Sequence, residues 1–277
     1  MTTEAIASPM ATRIGQALDR LRERRPLVQN ITNYVSMDIA ANALLALGAS
    51  PAMVHAPEEI DDFGRLIQAL AINIGTLSSD WVAAMTLAAT VAHERGTPWV
   101  LDPVGAGATR FRDASVQQLL PFGPSVIRGN ASEIMAVAAS CGLGLSAARP
   151  KGVDSANTTS EAEVLSIELA RHVGCVVVAT GAIDFITDGR RQAHLANGSP
   201  LMTQVTAIGC SLSAITAAFC AIEPDRFDAA VAALAVVGIA GERAAAQTAR
   251  PGSFRTAWID QLAALDATAI TSDLKLS

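Results

Sequence analysis

An α/β fold with a mostly parallel central sheet is what the sequence predicts, and three observations predict it. Short apolar runs rich in β-branched residues recur along the chain, each ending in small or polar residues. Amphipathic or small-residue helical segments separate them, and this alternation is the pattern of a sheet covered by helices on both faces. Late in the chain, two strand-like runs flank Asp188-Gly189, a hairpin signal that adds an antiparallel edge. No linker, internal repeat or extended low-complexity tract interrupts the 277 residues, so one domain over residues 1–277 is expected.

Taken in order, the buried-strand runs are residues 27–29, 52–55, 71–74, 99–101, 126–127 and 175–179. Helical segments are expected over 37–47, 58–70, 81–94, 114–120, 133–139 and 161–172, and residues 20–25 mix Glu23 among arginines as a solvated helix does. Residues 183–187 and 191–195 form the hairpin, with Asp188-Gly189 as a type I′ turn. From Gly209 onward the chain reads as helix, over 212–222, 227–249 and 256–265, covering the sheet. The longest irregular stretch, 142–159, carries Pro150 and Gly152 and is a candidate flexible loop bordering the site.

Composition narrows the function classes. A net charge of -6 and a pI near 5.2 argue against general attraction to nucleic acid or anionic membranes, so small molecules are the expected partners. Cys141, Cys175, Cys210 and Cys220 form no C-x-x-C pair, which fits a reducing cytoplasm better than a zinc knuckle or disulfide framework. The apolar run 229–241 is shorter than the ~18 residues a bilayer span needs, and no secretory h-region follows Met1. There is no G-x-x-x-x-G-K-[ST], and Gly142-Leu143-Gly144 follows a helical run where a dinucleotide fingerprint follows a strand. His55, His93, His172 and His194 are dispersed, and only a pairing of His194 with Cys210 would suggest a cysteine hydrolase.

The chemistry concentrates at Val205-Thr206-Ala207-Ile208-Gly209-Cys210, where a small-residue turn opens onto an apolar helix. Unpaired amides and the helix dipole make such an end an anion site, and the same field is expected to lower the thiol pKa of Cys210. In open α/β sheets ligands bind beyond the carboxyl ends of the strands. The residues there are Asn30 and Asn33, Gly75-Thr76, Asp102-Pro103, Arg128-Gly129-Asn130 and Thr180-Gly181. Asp102 is suited to Mg²⁺, directly or through water, or else to starting a turn. Glu133 reaches the same cleft through metal-bound water, or else closes a capping box with Asn130. Arg128 is placed to fork across phosphate oxygens or to form a rim salt bridge, and Thr180 to bond a nucleotide phosphate or to turn the strand.

Ordered blocks over nearly the whole chain resemble the hydroxyethylthiazole kinase family of ribokinase-like enzymes. They include Pro26-Leu27-Val28-Gln29-Asn30-Ile31-Thr32-Asn33, Gly48-Ala49-Ser50-Pro51-Ala52-Met53, Asn73-Ile74-Gly75-Thr76, Leu101-Asp102-Pro103-Val104 and Arg128-Gly129-Asn130-Ala131-Ser132-Glu133. Val178-Ala179-Thr180-Gly181, Pro200-Leu201-Met202-Thr203, Gly209-Cys210-Ser211-Leu212 and Gly241-Glu242-Arg243 follow. The resemblance implies a ribokinase-like three-layer sandwich that transfers the γ-phosphoryl of ATP, with Mg²⁺, to the hydroxyl of 4-methyl-5-(2-hydroxyethyl)thiazole in thiamine biosynthesis or salvage. It assigns Met53 and Ala207 to the thiazole, with Asn30 and Gly75 in segments lining its pocket. Arg128, Thr180 and Gly209 fall to ATP, Asp102 and Glu133 to the metal, and Cys210 to accepting the proton of the alcohol. It also implies a homotrimer with sites between subunits. The chain departs from the family at Ala207-Ile208, where Gly-Thr is common, and alanine takes a positive φ only at a cost. A hydroxymethylpyrimidine-type kinase and an ATP-binding pseudoenzyme are the remaining alternatives.

Overall fold

The structure, a computed structural model, describes residues 3–144 and 155–277. Its strands are β1 (Leu27–Ile31), β2 (Ser50–Ala52), β3 (Ala69–Asn73), β4 (Trp99–Asp102), β5 (Val126–Asn130), β6 (Val176–Thr180), β7 (Asp184–Thr187) and β8 (Gln192–Leu195). They form one sheet in the order β2-β1-β3-β4-β5-β6-β7-β8, parallel through β6 and antiparallel at β7 and β8. The expected parallel sheet with an antiparallel edge is therefore present.

The two-residue period of the strands divides the core between two faces. Val28, Ala69, Ala71, Val100, Val126, Val176 and Val178 belong to one cluster, while Ile31, Leu70, Ile72, Trp99, Leu101, Ile127 and Val177 belong to the other. The first face is covered by α1 (Thr3–Arg24), α2 (Met37–Leu47), α8 (Ile208–Ile222), α9 (Arg226–Gln247), α10 (Pro251–Ala264) and α11 (Ala267–Asp273). The second carries α3 (Pro57–Gly64), α4 (Ser79–Arg95), α5 (Arg110–Leu119), α6 (Ala131–Ser140) and α7 (Ser155–Val173). Small side chains set how closely these layers approach. Ala69 and Ala71 turn toward α8, itself buried along most of its length through Ser211, Ala214, Ala217 and Ala218, so α8 lies directly on the sheet. One described helix, α9, is long and apolar enough to cross a membrane, and 78% of that stretch is buried inside the fold.

Several expectations are corrected. The helix expected over 58–70 stops at Gly64, and Ala69 and Leu70 join β3, because their backbone is claimed by the ladders to β1 and β4. The run 52–55 pairs as β2 only from Ser50 to Ala52, leaving Met53 just beyond the strand. The hairpin turn is not type I′: Gly189 alone takes positive φ, +84°, whereas that turn needs it at both central residues. Asp188 Oδ1 instead accepts from the amides of Arg190 and Arg191. Residues 145–154 of the expected loop lie outside the described residues, and from Ser155 the chain is already helical in α7.

Candidate functional site

Strand parity decides which side chains meet. Residues 28, 69, 71, 100, 126, 176 and 178 face the layer that contains α8 and α9, so Asn30, Asn73, Asp102, Arg128 and Thr180, two positions further along their strands, fall on that same side. In register, Asn73 pairs with Asp102 and Asn130 with Thr180, which aligns these ends along the carboxyl edge. The N-terminus of α8 lies against this edge.

Ala207 caps α8 in the left-handed region, at φ 66° and ψ 10°. An L-residue pays about 1–2 kcal/mol for this conformation, so the turn common to glycine is kept here at a cost in strain. Ser211 N–H is the first to bond back, to Ala207 O at 2.9 Å, and the amides of Ile208, Gly209 and Cys210 carry no hydrogen bond among the described residues. Three amides at the positive end of a buried helix are therefore left for a ligand, as an anion hole requires.

Arg128 lies beneath this turn with 12% of its side chain exposed. Its Nη1 donates to Gly209 O at 3.1 Å and its Nη2 to Thr180 Oγ1 at 2.9 Å. A Cβ at Gly209 would sit 3.1 Å from Nη1, so glycine there admits the guanidinium to the helix end. Arg128, Thr180, Ala207 and Gly209 all line one cavity of about 830 Å³, whose other walls include Gly181, residues from Asn197 to Thr206, the apolar Leu212, Leu234 and Val237, and Gly238 of α9. Asp184 lines it too, and burial pushes its carboxyl up to about 6 despite the Gly181 amide it accepts.

Cys210 stands on the other side of the turn, at the head of a chain of amides. Asn33 Nδ2 donates to Cys210 Sγ at 3.3 Å and to Asn73 Oδ1 at 2.8 Å, and Asn73 Nδ2 donates to Asp102 Oδ2 at 2.7 Å. Ser213 Oγ donates to the same carboxylate oxygen at 2.7 Å. Backbone amides fix both asparagines: Val35 and Ser36 donate to Asn33 Oδ1, and Gly75 donates to Asn73 Oδ1 at 2.9 Å. Asn33 therefore presents N–H, not oxygen, to the sulfur. Gly75 has its own reason to lack a side chain, since a Cβ would lie 2.7 Å from Asn33 Nδ2.

The expected lowering of the Cys210 pKa is reversed. Burial and the Asp102 carboxylate push the thiol up from 9.0, outweighing the amides and Arg128 that pull it down. His194 does not pair with it: its Nε2 meets Glu163 Oε1 at 2.9 Å and its ring packs on Phe185, so the hydrolase dyad is not formed.

Asp102 is fully buried, its Oδ1 has no hydrogen-bond partner, and Arg128 Nη1 approaches Oδ2 only to 3.8 Å. Burial, opposed first by Arg128, lifts its carboxyl to about 6. Glu133 closes the capping box, with Oε2 accepting from Asn130 N at 2.8 Å and Oε1 from Gly105 N at 2.9 Å. Among the described residues no three His, Cys, Asp or Glu side chains gather as a metal group. The free Oδ1 of Asp102 nonetheless fits a cation such as Mg²⁺, which takes one or two carboxylates and keeps its waters.

Met53, half-buried beyond β2, and Asn30 occupy the neighbouring strand ends. Asn30 is turned inward, its Nδ2 donating to Val28 O, and takes no part in the chain to Cys210. Asn33 fills that place. Sequence reasoning put Asn33 at the right edge without giving it a role, and it missed Asn73 and Ser213. Asn73 was legible as a polar residue on the α8 parity of an apolar strand, and Ser213 as one helical turn beyond Cys210.

Comparison with known proteins gives the family. A family model described as "Hydroxyethylthiazole kinase family" matches residues 18–268. Hydroxyethylthiazole kinases of Rhizobium rhizogenes and Cereibacter sphaeroides are 52% and 51% identical over 95% of this chain, which covers 96% and 97% of theirs. The structure of hydroxyethylthiazole kinase protein from Pyrococcus horikoshii superposes with a TM-score of 0.88 at 43% identity, covering 96% of this chain and 98% of that one. A Bacillus subtilis pyridoxal kinase, solved as an ADP complex, shares the fold at a TM-score of 0.56 and 17% identity, over 78% of this chain and 91% of its own. On sequence and fold together, the chain belongs to the hydroxyethylthiazole kinase family.

Proposed function

We propose that this chain, acting as one kinase domain over its 277 residues, transfers the γ-phosphoryl of ATP to the hydroxyl of 4-methyl-5-(2-hydroxyethyl)thiazole. One observation carries the reading: the free amides of α8 stand between the Arg128-lined cavity on one side and the Asn33-bound sulfur of Cys210 on the other. A nucleotide in the cavity has its terminal phosphate at the amides, and an alcohol on the far side has its proton facing Sγ.

Phosphoryl transfer proceeds through a loose transition state, so positioning and charge neutralisation supply most of the acceleration. The amides of Ile208, Gly209 and Cys210 receive the phosphoryl oxygens, and the Arg128 guanidinium behind them offsets the negative charge. Asn33 holds Sγ as an acceptor while the alcohol oxygen forms its bond to phosphorus and the bond to the ADP oxygen breaks. The alcohol proton goes to Cys210 in its thiolate form, which becomes the thiol. Asp102, with Glu133 behind a water, would hold Mg²⁺, which supplies charge neutralisation at the phosphates when bound. Met53, Asn30, Gly75 and Ala207 surround the thiazole, and Thr180 and Gly209 serve the nucleotide through the placement of Arg128.

The assembly is a homotrimer in the cytoplasm, with thiazole pockets between subunits. Tyr34 and Val35, next to Asn33, are 68% and 57% exposed, and these apolar side chains support a second subunit as the missing wall of the thiazole pocket. A solution mass three times the 28.6 kDa chain is expected, and a monomer contradicts it. ADP release from Mg-ATP tests the function. It depends on the thiazole alcohol, whereas equal stimulation by hydroxymethylpyrimidine favours the pyrimidine-type kinase, and silence from an ATP-binding protein favours the pseudoenzyme.

A further inference from the structure

Two sequence blocks, Pro200-Leu201-Met202-Thr203 and Gly241-Glu242-Arg243, have no part in the chemistry above. In the structure they meet. Asn197, Gly198, Pro200, Met202 and Val205 form one wall of the nucleotide cavity, and that wall rests on α9.

Gly238, Gly241 and Glu242 share one face of α9, at i, i+3 and i+4. A Cβ on Gly238 would lie 2.7 Å from Asn197 O and 2.8 Å from Asn197 Cβ, closer than real contacts allow. One on Gly241 would lie 2.5 Å from Met202 Sδ. The two glycines form a notch in which the wall is seated. Glu242 then locks it: Oε1 accepts from Gly198 N at 2.9 Å, Asn197 Nδ2 at 3.3 Å and Lys275 Nζ at 2.9 Å. Asn197 is also held from its other side, its Nδ2 donating to Asp273 O at 2.8 Å and its Oδ1 accepting from Lys275 N at 2.8 Å. Gly198, at φ +146°, makes the turn between these anchors.

We propose that Gly238 and Glu242 are positioning residues for the nucleotide, holding the 197–205 wall at the width that grips a nucleoside triphosphate. Neither touches the amide chain that leads to Cys210, so the acceptor alcohol is insulated from them. The inference rests on the assignment of the cavity to ATP. Contacts along an apolar wall are dispersive, and a gap of about 0.5–1 Å already forfeits a quarter to a half of each. A small displacement of the wall therefore weakens nucleotide binding without unfolding the chain.

The test is calorimetric titration of ADP into the purified enzyme, with KM values for ATP and for the thiazole alcohol alongside. Gly238→Ala and Glu242→Ala are expected to raise the ADP dissociation constant and the ATP KM about tenfold, with the alcohol KM shifting less than about threefold. Glu242→Gln, whose Oε1 still accepts from Gly198 N, recovers most of the loss. Unchanged ADP affinity in both alanine variants, or a parallel rise of both KM values, overturns the inference. Where Gly238→Ala does not fold, the two Glu242 variants decide alone. ADP titration involves no alcohol: a wild type that binds ADP yet leaves the thiazole untouched refutes the acceptor and not this inference. A wild type that binds no ADP refutes the inference.

Discussion

The two sides of the α8 N-terminus are built differently. On the side proposed for the nucleotide, one guanidinium, a hydroxyl and free backbone amides line a cavity of about 830 Å³, and a wall pinned to α9 completes it. On the side proposed for the acceptor, the Asn73 and Asn33 side-chain amides link Asp102 to Cys210, bordered by exposed apolar residues. In the proposed reading, charge holds the donor, while hydrogen-bond direction places the acceptor. Each side should therefore break in its own way.

The largest expected effect is on the nucleotide side. Arg128→Ala removes the charge behind the amides and leaves Asp102 without its nearest cation, and nucleotide affinity is expected to fall about 100-fold with thiazole affinity within about threefold. Equal weakening of both ligands in titrations would erase the distinction between the sides. On the acceptor side, Cys210→Ala is expected to lower kcat about 100-fold, whereas Cys210→Asp, which restores a proton acceptor, keeps or raises it. Because burial and Asp102 hold the thiol above 9.0, the thiolate fraction grows with pH through neutrality. Log kcat of the wild type therefore climbs with a slope near one between about pH 7 and pH 8, and that of Cys210→Asp stays flat. A flat wild-type profile counts against a proton at this sulfur.

Asp102 sharpens the comparison through stability. Its carboxyl is raised from 3.8 to about 6, so its favourable contribution is full below the unfolded value and is lost as pH rises through about 6. In chelator, Asp102→Asn is accordingly expected to be more stable than wild type by about 2 kcal/mol near pH 8, the gap closing near pH 4. Denaturant unfolding that shows the same gap at both pH values contradicts this. The smallest effect belongs to the turn itself. Ala207→Gly relieves a φ of 66° and is expected to add about 0.5–1 kcal/mol of stability, read as a higher urea midpoint.

Much of this architecture is legible in the sequence where one-dimensional patterns carry it. Apolar runs located β1, β3, β4 and β6, and helix α2 runs from Met37 to Leu47 as expected, ending at Gly48 in the left-handed region. Strand-end logic brought Asp102, Arg128 and Thr180 to the edge. What escaped depends on partners far along the chain. Ala69 and Leu70 are drawn from the expected helix into strand by ladders to β1 and β4, and α1 extends back to Thr3, its later turns buried at Ile14 and Leu18. The Asn33–Asn73 link spans 40 positions, and the Ser213–Asp102 bond spans 111. The thiol pKa moved against expectation because burial beside a carboxylate outweighs the favourable groups around Cys210.

The most direct measurement follows the phosphoryl group itself. Wild-type enzyme with ATP radiolabelled at the γ-phosphate, Mg²⁺ and the thiazole alcohol should yield label in the alcohol's phosphate ester alone, with none on the protein at any time. Label trapped on Cys210, or inorganic phosphate released with no ester formed, would contradict direct transfer at the α8 N-terminus.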